Sequence, residues 1–249
     1  MNYSQALRSA LLSKEIYQAF SQIKFSDFPN VTPVLIDQDS TGTQCAMFLD
    51  STEAVIYIIF RGSEERVDWS TNFDFKKVAF QNNVIQKEIM QPREEVYPYS
   101  KQSQSGAKMH QGFVNAYLSV REQVHDYLQR HTASKVIVTG HSLGGALSTL
   151  AAVDIQYWFG EQLAIAIYTF GSPRVGNSGF RESFLKRIPD SYRFVYGMDL
   201  VPALPRPWQG YRHVETEYRL GSRFSLNFFS QRFRDHDIDN YVTALQELV

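Results

Sequence analysis

Cysteine, clustered basic charge and unbroken hydrophobic runs are what this chain of 249 residues has least of, and each shortage removes a class of explanation. A lone Cys45 cannot close an internal disulfide, so the fold is expected to form without a cross-link, and a reducing, cytoplasmic compartment is the expected location. Basic and acidic residues nearly cancel, 25 against 26, and lysines and arginines form no run. A nucleic-acid partner is therefore not expected. The longest apolar region, Ala146 to Phe170, is broken by Asp154, Gln156, Glu161 and Gln162, so no transmembrane segment is expected. Near the N-terminus only Ala10-Leu11-Leu12 run together before Lys14 and Glu15, short of a signal peptide's apolar core, so no signal peptide is expected. Neither an H-E-x-x-H pair nor a Cys/His cluster occurs, so no metal and no organic cofactor are expected.

Apolar material, by contrast, is plentiful. Hydrophobic residues make up 43% of the chain and aromatics 14%, ample for a sizeable core. The spacing predicts an amphipathic helix over residues 3–20, then strands over 43–49 and 54–60, the second apolar on both faces as in a covered central strand. A helix follows over 112–131, a strand over 135–139, and a helix from Ser142 onward. Further strands are expected over 164–170, 192–196 and 213–220, with helices over 178–186 and 237–248. Strands alternating with helices imply one α/β domain over 1–249, with a mostly parallel central sheet and helices on both faces. The least regular part is 64–109, where Val84, Ile85, Ile89 and Met90 form a short apolar stripe. Inserts of that length in a compact domain tend to be lids or binding loops.

Gly140-His141-Ser142-Leu143-Gly144 has the form G-x-S-x-G. Alone, such a pentapeptide arises by chance in roughly one chain in ten of this size. Its setting changes that. The β-branched run Lys135 to Thr139 precedes it and a small-residue helix pattern follows, which is the strand, sharp turn and helix of a nucleophile elbow. The turn is expected to hold Ser142 in a strained backbone conformation with its hydroxyl exposed. Glycines at 140 and 144 leave room for so tight a turn, and the Leu143 N–H becomes a candidate oxyanion donor at a helix N-terminus.

Partners for the serine lie downstream. Asp199 follows the strand ending at Tyr196, on the rim where a parallel sheet presents its sites. By itself an Asp after a strand is more often a turn or cap residue. After an elbow serine, and before further histidines, it fits the order Ser, Asp, His. His213 sits on the polar face of an alternating segment with Glu215 and Glu217, and His236 at the junction into the last helix. Position does not separate the two as general base. Ser63, in the turn after Phe60, can offer its N–H and hydroxyl to a developing oxyanion, and capping a helix that begins at Glu64 is compatible with that role.

These segments together resemble the class 3 lipases, the fungal-lipase-like branch of the α/β-hydrolases. The resemblance runs through Phe60-Arg61-Gly62-Ser63, Trp69 with Asn72-Phe73, His110 to Phe113, Gly140 to Leu147, Phe170 to Asn177, Asp199 to Pro205, Glu217-Tyr218 and Asp235 to Tyr241, in family order. It implies an α/β-hydrolase fold with a lid segment. It further implies Ser142 as nucleophile, Asp199 as the acid that orients the histidine, His236 as general base, and Ser63 with Leu143 as the oxyanion hole. His213 then matches a non-catalytic family histidine. Residues 64 to 73, with Trp69 and Phe73, match the lid helix over the substrate. Two departures stand out: the stretch from about Lys76 to Lys108 is longer than in the compact fungal enzymes, and their disulfides are impossible here.

The expected activity is hydrolysis of carboxylic esters of acyl lipids through an acyl-enzyme, with no cofactor, at a membrane or lipid-droplet surface. The alternatives are an esterase or acyltransferase with the same triad, and a catalytically silent interaction module. Phe224, Leu226, Phe228, Phe229 and Phe233 offer either core packing or an acyl-chain wall.

Overall fold

Seven short runs rich in β-branched and aromatic residues form one sheet in the computed structural model, which describes residues 2–63, 107–214, 216–222 and 234–249. The strands are β1 (Val34–Gln38), β2 (Thr43–Asp50), β3 (Val55–Phe60), β4 (Lys135–His141), β5 (Ala164–Phe170), β6 (Asp190–Tyr196) and β7 (Thr216–Leu220). They lie side by side in chain order. β1–β2 and β2–β3 are antiparallel, and every pair from β3 to β7 is parallel.

That order decides where the helices go. α2 (Gln111–Arg130), α3 (Leu143–Phe159) and α4 (Ser178–Arg187) link β3 to β4, β4 to β5 and β5 to β6, each stepping one strand in the same direction. Right-handed crossovers that all advance one way put their helices on one face of the sheet. Ile56, Ile58, Phe60, Val136 and Val138 accordingly pack with Phe113, Tyr117, Leu147, Leu150, Phe180 and Phe184 in a single core. The opposite face is covered from the two ends of the chain, by α1 (Tyr3–Glu15) and α5 (Ile238–Gln246), over Tyr57, Ile59, Ile137 and Phe194. Alternate residues of β3 thus feed two cores, and the strand is buried from end to end. α1 presents Ala6, Ser9, Ala10 and Ser13 to the sheet, small enough for the helix to lie close. Its Ser13 hydroxyl bonds Thr139 of β4 at 3.0 Å. The edge strands β1 and β7 are largely exposed, and β7 carries Glu217 and Arg219, charges that blunt edge pairing.

The α/β class, with its mostly parallel sheet and helices on both faces, matches the expectation from the sequence. Three local readings change. The first helix ends at Glu15 rather than residue 20, and the chain turns on through a 3₁₀ segment at Phe20–Gln22. β1 is an additional strand, with Ile36 its one buried residue. The last strand begins at Thr216, so His213 precedes it. Of the expected insert, 64–106 lies outside the described residues, Trp69, Phe73 and the stripe from Val84 to Met90 included, as do Glu215 and Phe224 to Phe233. At its end Ala107 is buried and Met109 bridges Gly176. No helix among the described residues is long and apolar enough to cross a membrane.

Candidate active site

β4 runs straight into α3 through Ser142, whose φ of 58° and ψ of −128° place it outside the ordinary regions for a residue with a side chain. The surroundings hold it there. The Ser142 N–H donates to the Phe170 carbonyl at the end of β5 (2.9 Å), and the Ser142 carbonyl accepts the Gly145 N–H (3.0 Å). A Cβ on Gly144 would stand 2.2 Å from the Phe60 carbonyl oxygen, and one on Gly140 would stand 2.4 Å from the Gly144 carbonyl. The two glycines therefore let α3 begin against the ends of both β3 and β4. Leu143, first residue of α3, has no partner for its N–H within the helix, and the positive end of the helix dipole lies at Ser142.

The structure brings Ser142, His236 and Asp199 together from three chain segments. Ser142 Oγ and His236 Nε2 are 2.9 Å apart, and His236 Nδ1 and Asp199 Oδ2 are 2.8 Å apart. A carboxylate only accepts, so Nδ1 carries the proton and the neutral ring presents Nε2 as acceptor to the serine hydroxyl. Asp199 is buried and holds its rotamer through other donors: the Val201 N–H at 2.9 Å on Oδ1, and the Tyr241 hydroxyl on Oδ2. That contact, together with burial, raises the Tyr241 pKa well above the phenol value, burial acting most strongly. The tyrosine therefore stays protonated and donating. Asp235, next to the histidine, accepts the Met198 N–H at 2.7 Å, which ties the His236 junction to the loop bearing Asp199. The elbow hydroxyl is less open than the sequence suggested. Ser142 is 2% exposed, enclosed by the His236 ring and by the Gly62 turn, where an added Cβ would stand 3.3 Å from Ser142 Cβ.

His213 takes no part in this chain of bonds. Its Nε2 lies 2.7 Å from the Pro202 carbonyl, to which it donates. Burial first, then Arg193 and Arg174, push its pKa well below the usual imidazole range, so the ring is neutral. Of the two histidines that spacing left equivalent, His236 lies against the serine and His213 does not. Ser63 is exposed and follows Gly62 directly beside the elbow, while Leu143 flanks Ser142 on the other side.

Three supporting residues were not read from the sequence. The His141 ring lies between Tyr17 and His236, with Nε2 2.7 Å from the His236 carbonyl and Nδ1 3.0 Å from the Tyr17 hydroxyl. A carbonyl accepts, so Nε2 carries the proton and Nδ1 accepts from Tyr17. Burial, then the neighbouring His236, pushes the His141 pKa well below the imidazole value, which keeps that tautomer neutral. Arg61 reaches back from the Phe60–Ser63 turn to the carbonyls of Tyr17 (3.2 Å) and Gln18 (3.3 Å) and to the Gln44 side chain (3.1 Å). The chain just beyond α1 is in this way bonded to both the elbow and the Phe60–Ser63 turn.

A family model described as Lipase (class 3) matches residues 57–208. Among curated proteins, a secreted mono- and diacylglycerol lipase 1 of Fusarium solani is 31% identical over 184 residues, covering 72% of this chain and 48% of that protein. A lipase of Rhizomucor miehei is 34% identical over 174 residues, covering 67% of this chain and 42% of that one. The match thus spans less than half the length of either relative. Among solved structures, the triacylglyceride lipase of Rhizomucor miehei superposes with a TM-score of 0.68 at 25% identity, covering 94% of this chain and 92% of that one. A triacylglycerol lipase described as having a serine protease triad at its catalytic centre superposes with a TM-score of 0.62 at 27% identity, covering 88% of this chain and 78% of that one.

Proposed function

The chain belongs to the class 3 lipase family, and on that premise we propose that it is a serine-dependent carboxylic ester hydrolase acting on acyl lipids. The observation that carries this is the unbroken line from Ser142 Oγ through His236 to Asp199, with separations of 2.9 and 2.8 Å. In the proposed reaction His236 Nε2 takes the hydroxyl proton as Ser142 Oγ attacks the ester carbonyl. Asp199 holds the ring in its Nδ1–H tautomer and stabilises the imidazolium that forms. The Leu143 N–H and Ser63 receive the negative charge on the former carbonyl oxygen, one such donor contributing about 2.7–4 kcal/mol in the transition state. As the tetrahedral intermediate collapses, the proton passes from His236 to the departing alcohol, leaving an acyl-Ser142. Water, deprotonated by His236, then releases the carboxylic acid.

Matched relatives named for mono-, di- and triacylglycerol lipases support a glyceride ester as substrate, and a lipid surface is the proposed place of reaction. Three of the matched relatives are secreted by name; for this chain a cytoplasmic location is part of the proposal and is tested by fractionation. The deciding experiment presents purified protein with emulsions of tri-, di- and monoacylglycerol, phospholipid and galactolipid, using Ser142→Ala as the blank. Fatty acid released above that blank from at least one class is expected. Turnover confined to a dissolved short-chain ester, or acyl transfer to an alcohol in preference to water, would replace the lipase reading with the esterase or acyltransferase one.

A further inference from the structure

On the rim that carries Ser142, a tryptophan stands almost wholly in solvent. Trp208 is 79% exposed, the most exposed large apolar side chain among the described residues. Others of its kind, such as Val34, Leu185 and Leu248, are half-covered and scattered. Its setting is well built. Pro207–Gln209 is a single 3₁₀ turn that starts at Arg206, where the backbone N–H donates to Gln209 Oε1 at 2.8 Å, and ends at Gly210 with φ 90°. The exposed Arg212 side chain closes the loop, donating to the carbonyls of Pro207 and Tyr211 at 2.8 Å each. The loop leaves Asp199 and is stitched to the segment following β5: the Arg174 N–H donates to Leu204 O, and the Arg212 N–H to Gly176 O, both at 2.7 Å. Trp208 is therefore held outward at the C-terminal ends of β5 and β6, where the site lies.

Arginines lie on and against the same loop. The Arg206 guanidinium lies 5.4 Å from the centre of the Trp208 ring, Arg212 is on the same loop, and Arg174 donates to Pro205 O at 2.9 Å. These three arginines bond to backbone carbonyls, to the ring, or to nothing charged among the described residues. Burial first, then Arg193, Arg206 and Arg212, push the Arg174 pKa down to about 10. The acid that acts on it, Glu217, is itself paired with Arg193 at 3.0 Å and with Arg219. A nearly neutral protein thus places three arginines, with no carboxylate partner of their own among the described residues, on or against the loop that carries the most exposed aromatic ring among those residues.

We propose that Trp208 with Arg206, Arg212 and Arg174 forms a docking surface for an anionic phospholipid layer, the indole lying at headgroup depth and the guanidinium groups on lipid phosphates. Tryptophan favours the interface because its ring is apolar and its N–H polar. Guanidinium matches phosphate with paired donors, and each arginine near an anionic surface contributes a separate attraction. Docking there sets the Ser142 rim against the lipid. The choice of a lipid layer as occupant rests on the hydrolase reading above.

Flotation of the full chain with vesicles tests it, comparing phosphatidylcholine alone with phosphatidylcholine containing phosphatidylglycerol. Preferential binding to the anionic vesicles is expected. Arg206→Gln and Arg212→Gln should each lower the partition about fivefold, and Trp208→Ala should lower it on both vesicle types. Arg130→Gln, an exposed arginine at the opposite end of α2, should change nothing. High salt should weaken binding of the parent chain. Binding indifferent to vesicle charge, or equal losses in Arg130→Gln and Arg212→Gln, would overturn the proposal. If glyceride emulsions are hydrolysed while vesicle binding ignores these substitutions, the docking surface falls and the hydrolase reading stands. If vesicle binding behaves as expected and no ester is cleaved, the reverse holds.

Discussion

His141, the residue before the elbow serine, donates from Nε2 to the backbone carbonyl of His236, 2.7 Å away. The strand that delivers Ser142 therefore also fixes the main chain of the residue that bonds its hydroxyl. Tyr17 sets the tautomer by donating to Nδ1. Tyr17→Phe leaves that buried nitrogen without its donor and loosens the ring. A fall in kcat of about tenfold is expected, with KM for a soluble ester little changed. Equal kcat in parent and variant would remove His141 and Tyr17 from the positioning of the base.

Removal of either end of the Ser142–His236 bond should be as damaging as removal of both, because the members act as a unit. Ser142→Ala, His236→Ala and the double variant are expected to share one residual rate. His213→Ala should keep most of the turnover, since that ring bonds only the Pro202 carbonyl among the described residues. A His213→Ala variant as inactive as His236→Ala would reverse the assignment of the base.

Gly144→Ala places a methyl group 2.2 Å from the Phe60 carbonyl oxygen, which must move with the Arg61–Ser63 turn behind it. Overpacking of this kind costs about 1–3 kcal/mol. A lower thermal midpoint is expected, together with a loss of kcat larger than that of an equally destabilised variant far from the site. A normal kcat in the folded fraction would count against the proposed oxyanion role of this turn.

Stability should decline in mild acid. His110 has its pKa pushed down to about 4 by burial, and His141 and His213 lie well below the imidazole value for the reasons given above. Unfolded imidazoles titrate near about 6.5. Below that pH the unfolded chain binds protons that the folded chain refuses, so these rings favour the native state most above about 6.5 and progressively less toward their folded pKa values. Urea midpoints taken at about pH 7.5 and about pH 5.5 should fall with pH, and His110→Gln should flatten the slope. A flat profile in the parent would contradict neutral burial of these rings.

Much of the architecture is written in single segments. β3 reads as a central strand because all six residues are apolar, and both of its faces are covered. The elbow reads from its glycines because their lack of a side chain is what the crossing of β3, β4 and α3 requires. β1 does not read, since one buried residue in five gives no alternation to see. The supporting bonds do not read either. Tyr17 and His141 are 124 positions apart, and two of the Arg61 bonds go to backbone carbonyls, which leave no trace in side-chain pattern. His213 and His236 look equivalent until folding puts one against Pro202 and the other against Ser142.

The most direct measurement is mass spectrometry of protein quenched during turnover of a slowly hydrolysed long-chain ester. An acyl group on the peptide carrying Ser142, absent from Ser142→Ala and accumulating before product in the parent, is the expected result. Acylation of another residue, or hydrolysis by Ser142→Ala at the parent's rate, would contradict a reaction that runs through this serine.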